Sequence, residues 1–575
     1  MTGHDGKRPA RRGRAEAKND AGSGSGSANS SRATLLWFRQ DLRLEDNRAL
    51  HAAADTSLPV VFLFVLDDGA AGDWKAGGAG RWWLHGSLSS LAASLEARGA
   101  RLILRRGDAT AIVPALAAEI GAGEVHCGLP HEPWMRKLDE QVAAALEKAG
   151  RRLVAHRVAT TMDLDAVWSK SGTRFGVYSP FARACRAAGA PDAPLSPPRT
   201  LACPGPQPSS DALDNWNLLP TRPDWAGGLR NSWQPGEAGA QARLKRFLDG
   251  HLDGYGASRD APGEADGTSM LSPHLHWGEL SPNQVWHAAH DSIGGSAGRR
   301  AGFETFESEL LWHDFSAYVL RHNPALPDRP VRGAFERMEW RRDPAALQAW
   351  QQGRTGVPIV DAGMRQLWRI GWMQNRARMI TASFLVKHLL LPWQEGERWF
   401  WDTLVDADLA TNSVSWQWIA GSGIDSQPFF RVFNPVTQSR RYDRNGTYIR
   451  RWVPELRELP DRWLHAPWEA PEGVLTEAGI TLGQDYPRPL VDLSEGRNRA
   501  LAAFRRIAGP DKRTTENREQ ADTDTGTGAA RSGKTGRRAD DAPAAATGRP
   551  GRGKAASPSR SKGSSPSGRR AAAGS

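Results

Sequence analysis

The side chains best equipped for chemistry fall between Asp406 and Pro435, in DADLATNSVSWQWIAGSGIDSQPFFRVFNP. Two acids, an amide and two indoles precede a glycine turn and an aromatic-arginine run. The spacing predicts a helix through Trp418 on which Asn412 and Trp416, four residues apart, share a face while Trp418 points elsewhere. The two indoles should therefore serve different surfaces. Upstream, residues 255–275 (YGASRDAPGEADGTSMLSPHL) place the hydroxyls of Thr268, Ser269 and Ser272 at a predicted helix start, where hydroxyls and backbone N–H groups suit a pyrophosphate. In FESELLWHDFSAYVL, Glu309 and Trp312 share a helical face at i,i+3, and a carboxylate beside an indole is not typical of a solvent face. In GWMQNRARMI, Trp372, Asn375 and Met379 align at i, i+3 and i+7. Trp340 sits just outside a helix start that Asp343 caps and Pro344 opens. Taken singly, each cluster also fits plain packing or an ordinary cap, and EGER, after Trp393, reads as a charged turn.

The elements that must position these residues follow from patterning. Residues 34–158 alternate short apolar runs (TLLWF, PVVFLFVL, RLILR, EVHCG, RLVAH) with helical segments such as 81–98 and 133–149, the rhythm of a doubly wound parallel α/β domain. Residues 159–239 form a linker whose part from 190 to 210 is rich in Pro and Ser. Residues 240–508 lack that rhythm and read as one large all-helical domain. Residues 1–33 and 509–575 are low-complexity tails too polar to bury a core. These tails hold 21 of the 75 basic and 10 of the 64 acidic residues, leaving 54 of each in the body. The net charge of +11 thus belongs to the tails, and it says nothing of a basic groove on the body. Three cysteines without CxxC spacing exclude a disulfide framework and a zinc site and fit a reducing cytoplasm. No apolar leader or run of about 18 apolar residues occurs, so no membrane partner is expected. There is no GxGxxG for a dinucleotide in the first domain. With 24 Trp against 6 Tyr, aromatic usage is skewed to the most easily oxidised side chain.

LLWFRQDLRLEDNRAL, TSMLSPHL, NRAR, DADLATN and FFRVFNP together closely resemble the signatures of the DNA photolyase and cryptochrome family, nearest to class I cyclobutane pyrimidine dimer photolyases. The resemblance spans roughly residues 34–508 and implies an antenna domain followed by an FAD-binding helical domain. It implies that Tyr255, Thr268, Ser269, Met270, Leu271, Ser272, Asn375, Arg378, Asp406, Asp408 and Asn412 hold FAD. Glu309, Trp312, Asn375, Met379 and Trp418 would face the lesion. Trp416, Trp393 and Trp340 would carry an electron to the flavin, and Arg259, Arg376 and Arg431 would meet DNA. The antenna domain would hold a second pigment, methenyltetrahydrofolate or 8-hydroxy-5-deazaflavin. The family departs here at Gln374, where many members have His, and at His313, where some have an Arg for a DNA phosphate. Asn412, in place of the Asp or Cys of signalling members, favours light-driven dimer repair on UV-damaged DNA by a monomer. A blue-light photoreceptor and a (6-4) photolyase are the alternatives, the latter opposed by Gln374-Asn375 where that branch carries a His pair.

Overall fold

The computed structural model of the chain describes residues 32–508, apart from Lys170, Arg199, Pro204, Pro206 and Ala265. Five strands, β1 (Ala33–Phe38), β2 (Val60–Leu66), β3 (Leu102–Arg106), β4 (Ala122–Gly128) and β5 (Arg152–His156), form one sheet in the order β3-β2-β1-β4-β5 with every pair parallel. All five coincide with the apolar runs read from the sequence. Strand side chains alternate faces, and both faces are covered. Leu36, Phe38, Phe62 and Phe64 pack against α1 (Arg48–Asp55) and α2 (Gly78–Glu96). Leu35, Trp37, Val61 and Leu63 pack against α3 (Ala109–Glu119) and α4 (Pro133–Lys148). The strand order reverses at β1, so the loop leaving β1 opens the crevice where a ligand of such a sheet binds. A cavity there is lined by Trp37, Arg39, Gln40, Trp74, Trp134 and Trp401.

The linker region carries a helix that the weak pattern did not announce: α5 (Tyr178–Ala188) buries Phe181, Ala182 and Cys185. From residue 191 to residue 212 the described residues have no helix or strand, as the Pro-rich composition requires. The helical region follows, its principal helices being α6 (Ala297–His322), α7 (Pro344–Gln351), α8 (Pro358–Ile370), α9 (Asn375–Ser383), α10 (Trp393–Thr403), α11 (Leu409–Ala420) and α12 (Leu493–Ile507). Helix α7 begins as expected, with the Asp343 carboxylate accepting the Ala346 N–H and Pro344 at the first helical position.

Sheet and helices belong to one unit, the chain's division lying at residue 516, outside the described residues. The loop after β1 locks them together. Arg43, fully buried, donates to the carbonyls of Asp46, Val158 and Gly278. Gly278 has φ +67° and lies so close to the Gln40 carbonyl that any side chain would collide with it. Trp277 Nε1 then reaches the Val405 carbonyl at 3.0 Å, immediately before Asp406. Both tails, residues 1–31 and 509–575, lie outside the described residues.

Candidate active site

Helix α11 forms where expected. Asp408 caps its start by accepting the Thr411 N–H at 2.7 Å, and Gly421, at φ +75°, ends it. Its two indoles do separate: Trp416 is 2% exposed in the main helical core, whereas Trp418 is half-buried. Asn412 is buried and donates to the Glu397 carbonyl at 3.1 Å. Asp406 is held from two sides. Arg378 donates to both its oxygens at 3.0 and 2.8 Å, and the Ser272 hydroxyl donates at 2.6 Å while accepting from Trp372 Nε1 at 3.1 Å. For Asp408, burial opposes ionisation, but the nearby rings of His276, 3.9 Å away, and His313 outweigh it, holding the carboxyl well below the usual range. His313 faces this interior group and Asp314, so at this position the side chain serves the domain junction and not a DNA phosphate.

The hydroxyl loop fits the phosphates of a dinucleotide. Ser272 opens the short helix Ser272–His276, which no side chain caps. Among the described residues the Thr268 hydroxyl and the N–H groups of Ser269 and Met270 have no hydrogen-bond partner, and Met270 has φ +52°. Free donors converging on one loop are what a pyrophosphate needs. Leu271, buried, anchors the loop beneath them. Tyr255 is also buried, in the core formed with Phe247 and Phe306, and presents its ring to Arg259 at 5.8 Å.

Two of the residues expected to face a lesion, Trp312 and Trp418, come together where α6 packs on α11. Trp312 and Trp418 line one crevice with Val414 and Ile424. Behind Trp312 stands Tyr178 of α5, its ring parallel at 3.8 Å between centroids and 7° between planes, its hydroxyl donating to the Ser308 carbonyl at 2.8 Å. Glu309 is paired with Arg259 at 2.6 Å. Burial raises its carboxyl above the usual range, with Arg259 pulling the other way. Asn375 is exposed at the first position of α9, and Met379 is half-buried one face along. Trp372 departs from expectation: it precedes α9, whose cap is Gln374, so the three residues do not form one helical stripe. The reason is local. Gln374 in extended conformation accepts the Ala377 N–H at 3.2 Å and donates to the Arg259 carbonyl, which stops the helix from reaching back.

The three tryptophans of the expected electron path share the helical core at falling burial, Trp416 and Trp393 inside and Trp340 half-buried. The ring contacts of Trp416 are with Phe400 at 5.0 Å and Trp350 at 6.3 Å. EGER is not a charged turn. It lies in α10, where Gly396 leaves room for the Trp416 ring and Glu397 is fully buried. Burial raises the Glu397 carboxyl far above its usual range. Trp393, Glu397 and Phe400 recur at helical spacing, a signal that the charge count of EGER hides. Of the expected DNA contacts, Arg431 is exposed, Arg259 is paired with Glu309, and Arg376 is paired with Asp260 at 2.6 Å and lies over Tyr442.

A doubly wound sheet locked to a helical body, with phosphate-type donors, paired acids and indoles at the junction, defines a flavin-binding class. The family models agree: "DNA photolyase" matches residues 34–199 and "FAD binding domain of DNA photolyase" matches residues 306–506. The chain belongs to the DNA photolyase family. A deoxyribodipyrimidine photo-lyase of Agrobacterium fabrum is 44% identical over 84% of this chain and 98% of its own length. Cryptochrome-1 of Arabidopsis thaliana is 36% identical over 82% of this chain and 70% of its own. The solved structure of a bacterial class III photolyase from Agrobacterium tumefaciens superposes with a TM-score of 0.80 at 44% identity, covering 84% of this chain and 99% of that one. The branch expected from the motifs was class I.

Proposed function

We propose that this protein repairs cyclobutane pyrimidine dimers in UV-damaged DNA with light, as a deoxyribodipyrimidine photo-lyase. The observation that supports this most is the crevice between α6 and α11 lined by Trp312 and Trp418, with Glu309 one turn along α6, Asn412 on α11 and the Asp406–Arg378 pair just ahead of α11. FAD, when bound and reduced, supplies under light the electron that opens the cyclobutane ring and takes it back. The chain does the rest. Thr268, Ser269 and Met270 offer free donors for the phosphates beside Leu271 and Ser272, and Asp406, Asp408, Asn412 and Asn375 would orient the ring system. Trp312 and Trp418 give an extruded dimer two indole surfaces, and extrusion costs least where pairing is already broken. Glu309 and Asn375 would steady the negative charge that develops on the dimer, electrostatic preorganisation in a half-buried site. Arg259, Arg376 and Arg431 would hold the flanking phosphates, and Trp340, Trp393 and Trp416 would deliver electrons from the surface. The cavity at the β1 crevice is a fitting place for a second pigment, a folate or a deazaflavin. No helix among the described residues is long and apolar enough to cross a membrane. The three free cysteines suit a cytoplasmic monomer.

The match to a plant cryptochrome supports light signalling as the second reading. Light-dependent repair of a defined cyclobutane dimer and a defined (6-4) lesion by the purified protein, together with its absorption spectrum, separates them. Repair of the first lesion alone by a yellow or blue protein is expected. A coloured protein that repairs neither is a photoreceptor, and a folded colourless one that takes up no FAD refutes both readings.

A further inference from the structure

Lys387 lies fully buried in a π-helical turn, Phe384–His388, that continues α9. A buried ammonium ordinarily keeps a carboxylate partner, because its desolvation must be offset. Among the described residues none forms an ion pair with Lys387. Its Nζ donates instead to the backbone carbonyl of Arg431 at 2.9 Å and stands 5.2 Å from the centroid of the Phe429 ring. Both partners belong to the FFRVFNP loop. Phe429 roots that loop in the core, stacking on Phe504 at 5.1 Å and 15°. Arg431, whose carbonyl the lysine holds, is itself exposed.

We propose that Lys387 is a positioning residue for DNA: by fixing the Arg431 carbonyl from beneath, its ammonium aims the Arg431 guanidinium at a backbone phosphate. The inference rests on Arg431 being a phosphate contact, as in the function proposed above. Single π-helical turns of this kind are rare and are frequently found at functional sites. Burial alone brings the lysine down to about 7, so it gains and loses its proton near neutrality. His388, on the same turn, is lowered to about 4 by burial, with Lys387, Arg499 and Arg497 adding to it, and Arg431 itself is exposed. Loss of the proton turns a charge-assisted hydrogen bond to the carbonyl into a weaker neutral one. Affinity for DNA should therefore fall as pH rises through neutrality.

The test uses the FAD-loaded wild type, Lys387→Met, Arg431→Ala and the double variant, titrated with a duplex bearing one thymine dimer from about pH 6 to about pH 8.5 at constant salt. Lys387→Met should bind about tenfold more weakly at the acid end, the worth of one charge-assisted hydrogen bond. Its affinity should lose the wild type's downward slope with pH, while bound FAD and repair at saturating DNA stay unchanged. Adding Lys387→Met to Arg431→Ala should cost less than about twofold, because the lysine acts through the arginine. Wild-type affinity and slope in Lys387→Met, or equal losses in both backgrounds, overturns the proposal. Undiminished binding by Arg431→Ala refutes the phosphate assignment instead. Lys387→Gln keeps a donor without a titrating proton. It should bind nearly as wild type at the acid end with no slope, and a retained slope counts against the proposal even if the Met variant does not fold.

Discussion

Single side chains in this protein divide the work between moving electrons and holding geometry, and substitution can separate the two. Trp416 is buried against Phe400 and Trp350 and shares no face with Trp418, so in the proposed function it would pass electrons and not touch DNA. Trp416→Phe should therefore block photoreduction of oxidised FAD, followed by absorption under blue light, yet leave repair by chemically reduced enzyme within about twofold of wild type. Undiminished photoreduction would route the electron elsewhere, with Trp350 the nearest candidate. Lys387 shows the opposite balance, a residue retained at a cost. Its folded value near 7 lies below the ordinary 10.5, so between those values the unfolded chain binds more protons and stability rises with pH. The rise should reach up to about 1.4 kcal/mol per pH unit in that window. Lys387→Met, similar in length and without a charge to bury, should unfold with a flatter pH dependence in denaturant titrations and be no less stable than wild type at neutral pH. A wild-type slope in the variant would assign the dependence to other groups.

Secondary-structure elements were legible to very different degrees, and the differences are physical. The five strands were readable because a parallel sheet buried on both faces demands continuous apolar runs, and nothing else in residues 34–158 supplies them. Helices α7 and α11 were readable because Asp343-Pro344 and Asp408 are strong start signals. The partial failures share a cause, a tertiary partner distant in sequence. Gln374 makes its helix start late because it bonds to the Arg259 carbonyl, and no local pattern shows that. Glu397 looks like a surface acid until Trp416 and Asn412 close over α10. Helix α5 sits in a stretch of weak periodicity because only Phe181, Ala182 and Cys185 need burial, against Phe315 and Tyr318 of α6. That helix also makes a contribution the motifs did not include, the Tyr178 ring behind Trp312. Stacked aromatic pairs add about 0.5–1.5 kcal/mol beyond their area, and here the gain holds Trp312 in one orientation toward the crevice. Tyr178→Leu should weaken binding of dimer-containing DNA several-fold while Tyr178→Phe stays near wild type, with FAD content unchanged in both. Equal affinities for Leu and wild type in a fluorescence titration would show that Trp312 is held by α6 alone.

At the scale of the whole molecule, charge and fold are segregated. The body between the tails is formally neutral, 54 basic against 54 acidic residues, while the tails carry all of the +11. Arginines that would meet DNA are partly spent inside the body: Arg259 on Glu309 and Arg376 on Asp260, leaving Arg431 exposed. A body so balanced can recognise a lesion through its crevice but has little long-range attraction for undamaged duplex. The tails can supply it. They include GRPGRGK at Gly548–Lys554, with arginines suited to a minor groove. Each phosphate neutralised adds about 0.9 to the slope of log affinity against log salt on duplex DNA. Deleting residues 1–31 and 510–575, which leaves β1 whole, should therefore flatten that slope for undamaged DNA by several contacts and widen the ratio of damaged to undamaged binding, since the crevice residues all remain. The measurement is affinity against salt for full-length and truncated protein on matched duplexes with and without one dimer. Parallel lines would remove the tails from DNA binding, and a truncated protein that lost its preference for the dimer would place lesion recognition outside the Glu309–Trp312–Trp418 face.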